Sequence, residues 1–532
     1  MLSRRAPFTT PLWSLRSPRL LSCTHRRSLA TASNLDNVYD VVIVGGGISG
    51  TALACSLAAN PLLQDYNVAL VEAMDLSSTK NWTPAPDKYS NRVVSLTPAS
   101  MRFFNDIGVT EQLTAERVHP YSKMRVWDGV TNAKIEFDTR LLTQFGIDTQ
   151  SSSSAIAYMI ENVHLQHAIL RQLDGTQGRR GASVDIFEKA RVESITLDDK
   201  SNQADDEGLD LSDWPRVTLA NGSSLKARLL VGADGINSPV RNFANIESLG
   251  WDYNMHGVVA SLKTKKLGNS DSVFQRFLPT GPLALLPLGE GHASMVWSVP
   301  PDLAVALKKM PERDFCTLVN AAFRLSVPDL KYLYSQISRT TFETKCDFAS
   351  EYDWRQSVAM HGMSEMQKIE REFEFPPEVE DVDADSRASF PLRMRNSQEY
   401  YSNRVVLVGD AAHTIHPLAG QGLNQGLLDV ECLANVLQRG AANGQDLGDM
   451  HLLREYASTR CLRNLIMISA CDKLHKLYNT DFGPVTWVRS LGLSTINSMD
   501  FLKAEIMKYA MGIEYTGEQH SDCSSSVRSS SV

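Results

Sequence analysis

Gly45-Gly46-Gly47-Ile48-Ser49-Gly50 follows directly on the apolar run Asp40–Val44. In such a spacing, glycine is needed at Gly45, Gly47 and Gly50 for a tight turn, for close backbone approach to a pyrophosphate, and for helix–strand packing. The helix that follows offers unpaired N–H groups and a positive dipole end to phosphates. Glu72 stands 22 residues past Gly50, at the end of the next predicted strand Val68–Glu72, where a carboxylate accepts adenosine ribose hydroxyls. A glycine turn alone is weak evidence. Preceded by a strand, followed by a helix to about Asn60 and completed by this acid, it commits the N-terminal part to an α/β dinucleotide-binding unit.

Two further glycine–acid motifs lie downstream. Leu230–Ser238 ends a strand in Gly232, turns at Asp234-Gly235 and reaches Arg241 three residues past a potential N-capping Ser238. Alone, this is any strand-to-helix turn. Arg404–Gly409 reads as a buried Val-rich strand, followed by Asp410 and by His416-Pro417-Leu418-Ala419-Gly420-Gln421-Gly422-Leu423-Asn424. A carboxylate at a strand end, Asp410, is placed to accept hydrogen bonds from a ribityl chain. The turn and the helix N-terminus after it can stabilise negative charge at the N1–C2=O edge of a flavin.

Elsewhere the pattern separates several regions. Met1–Leu35 carries Arg4, Arg5, Arg16, Arg19, Arg26 and Arg27, many hydroxyl residues and no acid, the composition of a mitochondrial transit peptide. Ala155–Gly175 is predicted as a helix, Val184–Leu197 as paired strands, and Lys200–Trp214 as an acidic hairpin loop. Val258–Val299 alternates between turns as antiparallel sheet does. Pro301–Asp385 is mainly helical and ends in Glu370–Asp385, a run with eight acidic residues. His451–Gly512 reads as amphipathic helices, and the Ser-rich tail as disordered. Hydrophobic residues make up 43% and charged ones 21%, as in a globular enzyme. The net charge of −8 argues against a nucleic-acid partner. Eight cysteines include no C-x-x-C pair, and no metal-ligand cluster stands out.

The three motifs, in this order and spacing, resemble the flavin monooxygenases similar to para-hydroxybenzoate hydroxylase. The string His416–Asn424 resembles the signature of that family's ubiquinone-biosynthesis hydroxylase branch. Asn91-Arg92-Val93-Val94-Ser95-Leu96 looks like its arginine segment, and Phe274-Gln275-Arg276-Phe277-Leu278-Pro279 like a strand of its substrate domain. The resemblance covers roughly residues 38–512. It implies an α/β (α+β) fold: a Rossmann-like FAD-binding domain from 37–115, 155–245 and 388–440, and an interleaved antiparallel-sheet substrate domain from 116–154 and 246–387. A helical region, 441–515, and a tail, 516–532, complete it.

By the same resemblance FAD is held by Gly45, Gly47, Gly50, Glu72, Arg92, Gln166, Asp234, Gly409, Asp410, Gly422, Leu423 and Asn424. Pro417, Gly420 and Gln421 form the turn beside the flavin ring, and no acid or base is assigned; His413 and His416 are read as structural. The implied reaction hydroxylates a polyprenylated phenol, at ring C5, with O2 through a flavin hydroperoxide. The implied partners are a ferredoxin with its reductase, other ubiquinone-biosynthesis proteins and the matrix face of the mitochondrial inner membrane. Lys263, Lys265 and Lys266, or Arg393, Arg395 and Arg404, are candidate docking bases for the acidic ferredoxin. Leu462, Leu465, Ile466, Met467 and Leu474 are candidates for the membrane surface. The segment from about Pro328 to Arg387 exceeds what bacterial relatives need and reads as a solvated insertion or a partner-docking surface. Two other readings remain: a flavin-bound assembly subunit without turnover, and an epoxidase or prenyl reductase on the same fold.

Overall fold

The computed structural model describes residues 37–513, apart from 132, 146–154, 177–180, 199–210, 266–270, 290, 340–345, 365 and 368–373. The transit peptide, residues 200–210 of the acidic loop and the Ser-rich tail read from the sequence lie outside the described residues. Chain contacts separate Met1–Asn37 from a second unit, Val38–Val532, which carries the sheets and helices of the fold.

The first sheet of this unit is built on parallel strands in the spatial order Val405–Leu407, Ser224–Gly232, Val38–Val44, Asn67–Val71, Ser183–Phe187. The β-branched runs that predict these strands are covered on both faces: Val42, Ile43, Leu70 and Val231 are fully buried. Val192–Thr196 and Arg216–Leu219 pair antiparallel on either side of the undescribed loop. The helix Ile48–Ala59 is apolar almost all round because it packs between the helices Asn162–Thr176 and Gly422–Ala442.

A nine-stranded, mostly antiparallel sheet is centred on the 17-residue strand Ser248–Thr264. Ala388–Ser397, placed by sequence with the cofactor-binding segments, hydrogen-bonds into this sheet against Ser248–Thr264. The helices Pro301–Lys309, Glu312–Arg324, Val327–Arg339 and Phe348–Ala359 build a second core around Trp297, Phe315 and Phe323. Within the acidic run, Val379–Val382 pairs with Leu262–Thr264, valines buried and Glu380 and Asp381 outward, so part of this run is an edge strand.

The predicted helix Ala155–Gly175 is half right. Ala157–Glu161 is a strand, pairing Val93–Leu96 on one side and His119–Tyr121 on the other, and the helix starts at Asn162. Pairing with two strands distant in sequence overrides a local pattern that runs without a break into the helix. Three helices follow the cofactor region: Met450–Tyr478, Gly483–Ser498 and Asp500–Met511. No helix among the described residues is long and apolar enough to cross a membrane.

Candidate functional site

At the C-terminal ends of the parallel strands the glycine loop is held by its neighbours. Gly45, at φ +109°, donates its N–H to Val71 O at 2.9 Å, and a Cβ there would stand 2.3 Å from Ala233 O. A Cβ on Gly50 would stand 1.9 Å from Gly45 O. Gly47 differs: its φ is −69° and a Cβ there would meet nothing within 4 Å. The loop therefore packs tightly on the protein at two glycines and faces open space at the third, where the helix Ile48–Ala59 begins without a side-chain cap. Glu72 accepts the N–H of Gly46 at 2.6 Å and of Met74 at 2.7 Å. Gln166 donates its side-chain amide to Gly46 O at 2.6 Å, so the helix Asn162–Thr176 reaches the loop.

The second and third motifs are joined by Arg241, which donates to Ile236 O at 2.7 Å and to Ala411 O at 2.8 Å. Asp234 accepts the N–H of Val240 at 3.2 Å through Oδ2, whereas its buried Oδ1 has no partner. Burial raises its carboxyl above the usual range, against the pull of Ser238, Val240 and Arg241. Asp410 keeps an exposed surface, yet the protein packed round its carboxyl raises it too, with His413 opposing. Gly409 has φ +58°, and a Cβ there would stand 3.1 Å from Ser49 Oγ. Bare glycine thus lets this strand end approach the first helix.

Beneath these loops lies a carboxylate that sequence reasoning missed. Asp429, fully buried on the helix Gly422–Ala442, contacts His413 Nε2 at 2.5 Å and accepts Arg460 Nε at 2.7 Å, Asn464 Nδ2 at 3.0 Å and the Gly409 N–H at 3.1 Å. Burial alone would push its pKa up; His413 and Arg460 overrule it and hold Asp429 at about 2. An aspartate on the core face of a predicted helix was the available signal, but it named no partner. His413 thus fixes the Gly409–Asp410 turn to the helix behind it.

The turn before that helix is a short 3-10 segment, Pro417–Ala419, closed by Gly420 at φ +61°. His416 Nδ1 accepts the Leu418 N–H at 3.1 Å, and burial followed by the neighbouring His475 lowers its pKa to about 3. Gln421 donates at 3.4 Å to Ala510 O. The Asn424 side chain is fully engaged, accepting from Thr97 N and Ser100 Oγ and donating to Ser95 O and Gly420 O. Any further contact it makes must come from its backbone. Gly422 opens onto free space and the helix start has no side-chain cap. Arg92, next to the strand Val93–Leu96, is exposed.

Other candidates sort differently. Trp127 and Trp297 are core residues, whereas Trp251 and Trp354 are 42% and 60% exposed. Arg393 and Arg395 both pair with Asp252, Arg404 with Asp446 and Lys265 with Glu378, so these bases are largely matched by acids. Lys266 lies outside the described residues. Leu462, Leu465, Ile466 and Leu474 are exposed, but Met467 points inward.

The model of the FAD binding domain family matches residues 38–353 and 363–465. The chain is 38% identical over 492 residues to the ubiquinone biosynthesis monooxygenase COQ6, mitochondrial, of Xenopus tropicalis, spanning 92% of this chain and 97% of that protein. It is 36% identical over 492 residues to the protein of the same name from Saccharomyces cerevisiae, with the same two shares. Among solved structures, p-nitrophenol 4-monooxygenase PnpA from Pseudomonas putida superposes with a TM-score of 0.59 at 17% identity, over 89% of this chain and 98% of that one. That likeness speaks for the fold alone. Matched along nearly its whole length, the chain belongs to the COQ6 family of ubiquinone-biosynthesis monooxygenases and is an FAD-dependent monooxygenase.

Proposed function

We propose that the chain hydroxylates a polyprenylated phenol, at ring carbon C5, on the matrix face of the mitochondrial inner membrane, with electrons from a ferredoxin and its reductase. The observation that carries the cofactor end of this reading is the open face of Gly47 beside the uncapped start of its helix. Only there does the loop leave room for a pyrophosphate, with Gly45 and Gly50 bracing it. Glu72 sets the loop through Gly46 and stands at the adenosine end; Gln166 steadies the same loop. Asp410 and the unpartnered oxygen of Asp234 supply acceptors toward the ribityl chain. Arg92 supplies an exposed positive charge, and Gly409 the close approach that lets these parts meet. Pro417, Gly420 and Gln421 shape the turn beside the ring. The backbone N–H groups of Gly422, Leu423 and Asn424 point their dipole at its electron-rich edge.

In this reading the segments 37–115, 155–245 and 388–440 serve the cofactor, with Ala388–Ser397 lending its strand to the substrate sheet. Bound FAD supplies activated oxygen to an electron-rich ring. The protein's own task is to seat the phenol against that oxygen, keep water out, and let the ring carbon ortho or para to the hydroxyl attack. Mass spectrometry of cells lacking the chain tests this. A polyprenylated precursor lacking one ring hydroxyl should accumulate, and its ring position is read from fragmentation. Accumulation of a precursor that already carries the C5 hydroxyl would refute the assignment.

A further inference from the structure

The segment from Phe482 to Met499 contains a single charged side chain, Arg489, and that one is buried and paired with Asp128 at 2.8 Å. The inner face of the helix Gly483–Ser498 is fixed to the substrate sheet by this pair and by Asn497, which accepts the Glu136 N–H. Its outer face is apolar and uncovered. Trp487 is 68% exposed, and Phe482, Val488, Leu491 and, on the next helix, Phe501 are each more than half exposed. A helix turned toward water normally carries charge outward, and an apolar patch of this kind marks a contact surface.

Acids at both ends are neutralised: Asp481 by Lys331 at 2.8 Å and Asp500 by Lys503 at 2.9 Å. On the preceding helix Lys473 is exposed and makes no ion pair among the described residues, whereas Lys476, 4.3 Å from the ring centre of the exposed Trp251, is paired with Asp472 at 2.8 Å. An aromatic and aliphatic face free of uncompensated acids, with the exposed Lys473 on the preceding helix, in a chain whose acids outnumber its bases 61 to 53, is complementary to an anionic bilayer. No helix among the described residues is both long and apolar enough to span one.

We infer that Phe482, Trp487, Val488, Leu491 and Phe501 insert into the headgroup boundary of an anionic membrane, seating the enzyme where a polyprenyl-tailed substrate is dissolved. This rests on the proposed lipid-tailed substrate, but the binding itself does not. The test compares FAD-loaded full chain with the double variant Trp487→Glu, Leu491→Glu, and separately with Phe482→Glu, all sites being exposed. Each is floated with vesicles of phosphatidylcholine alone and of equal parts phosphatidylcholine and cardiolipin. Wild type should bind the cardiolipin vesicles, and the variants about tenfold or more weakly, with unchanged FAD content and melting temperature. Turnover of a short-chain, water-soluble phenol should be unchanged, and that of a vesicle-borne long-chain phenol should fall. Equal vesicle binding by wild type and variants, no binding by wild type, or a wild-type dimer that the variants dissociate would overturn the inference. Failure of wild type to hydroxylate the soluble phenol would instead strike the substrate assignment and leave the vesicle result standing.

Discussion

Gly47 and Gly50 belong to one motif, yet they answer to different constraints. A side chain on Gly50 collides with Gly45 O, a clash inside the protein; a side chain on Gly47 meets only the space proposed for the pyrophosphate. Gly47→Val should therefore fold, with a melting temperature near that of the apoprotein, and emerge colourless; Gly50→Val should fail to fold. Flavin absorbance per protein after desalting decides it, and a fully yellow Gly47→Val protein would contradict the placement. Asp410→Ala should weaken FAD binding far more than it disturbs folding. Each lost charge-assisted bond to the ribityl chain is worth about 1.5–3 kcal/mol, roughly ten- to a hundredfold in Kd, read by titrating FAD into apoprotein. At this scale the sequence spacing shows which glycines matter, since turn chemistry is local. It does not show that the Asn424 side chain is occupied, because its partners Thr97 and Ser100 are more than three hundred residues away.

At the scale of elements, the helix Gly422–Ala442 has one proposed job and one observed: its first turn is proposed to offer N–H groups toward the cofactor, and Asp429 behind it ties in Arg460, His413 and Asn464. Removing that carboxylate leaves Arg460 buried without its counter-charge, so Asp429→Asn should cost about 3–5 kcal/mol, measured by denaturant unfolding. Because Asp429 is held down at about 2 in the folded protein, its contribution is complete above the ordinary carboxylate range and is lost as pH falls through that range toward 2. Wild-type stability should drop across this interval more steeply than that of the Asn variant; parallel curves would contradict the assignment. The start of the helix was readable from the glycine turn before it, whereas its buried hub was not, since the partners join only once the chain has folded. The strand Ala157–Glu161 escaped notice for the same reason: what makes it a strand is the pair of neighbours on either side.

For the molecule as a whole, the parallel sheet and the antiparallel sheet were both legible, one from glycine motifs after apolar runs and the other from alternation between turns. The crossing of Ala388–Ser397 into the second sheet was not, because strand pairing across such sequence distance leaves no local mark. The electron source is tested at this scale. Under anaerobic conditions reduced ferredoxin should bleach the flavin quickly and NADPH alone slowly. The ferredoxin rate should fall with salt as charges are screened over about 8–10 Å. Fast, saturable bleaching by NADPH alone would contradict it. The internal pairing of Arg393, Arg395 and Arg404 leaves Lys263 as the more open base for docking.

The central claim, transfer of one oxygen atom from O2 to a polyprenylated phenol, meets its most direct test in isotope labelling. FAD-loaded protein, reduced in the presence of the phenol and then exposed to isotopically heavy dioxygen, should yield a product carrying a single heavy oxygen on the ring. Product oxygen drawn from water, or hydrogen peroxide formed with no hydroxylated ring at all, would contradict the account.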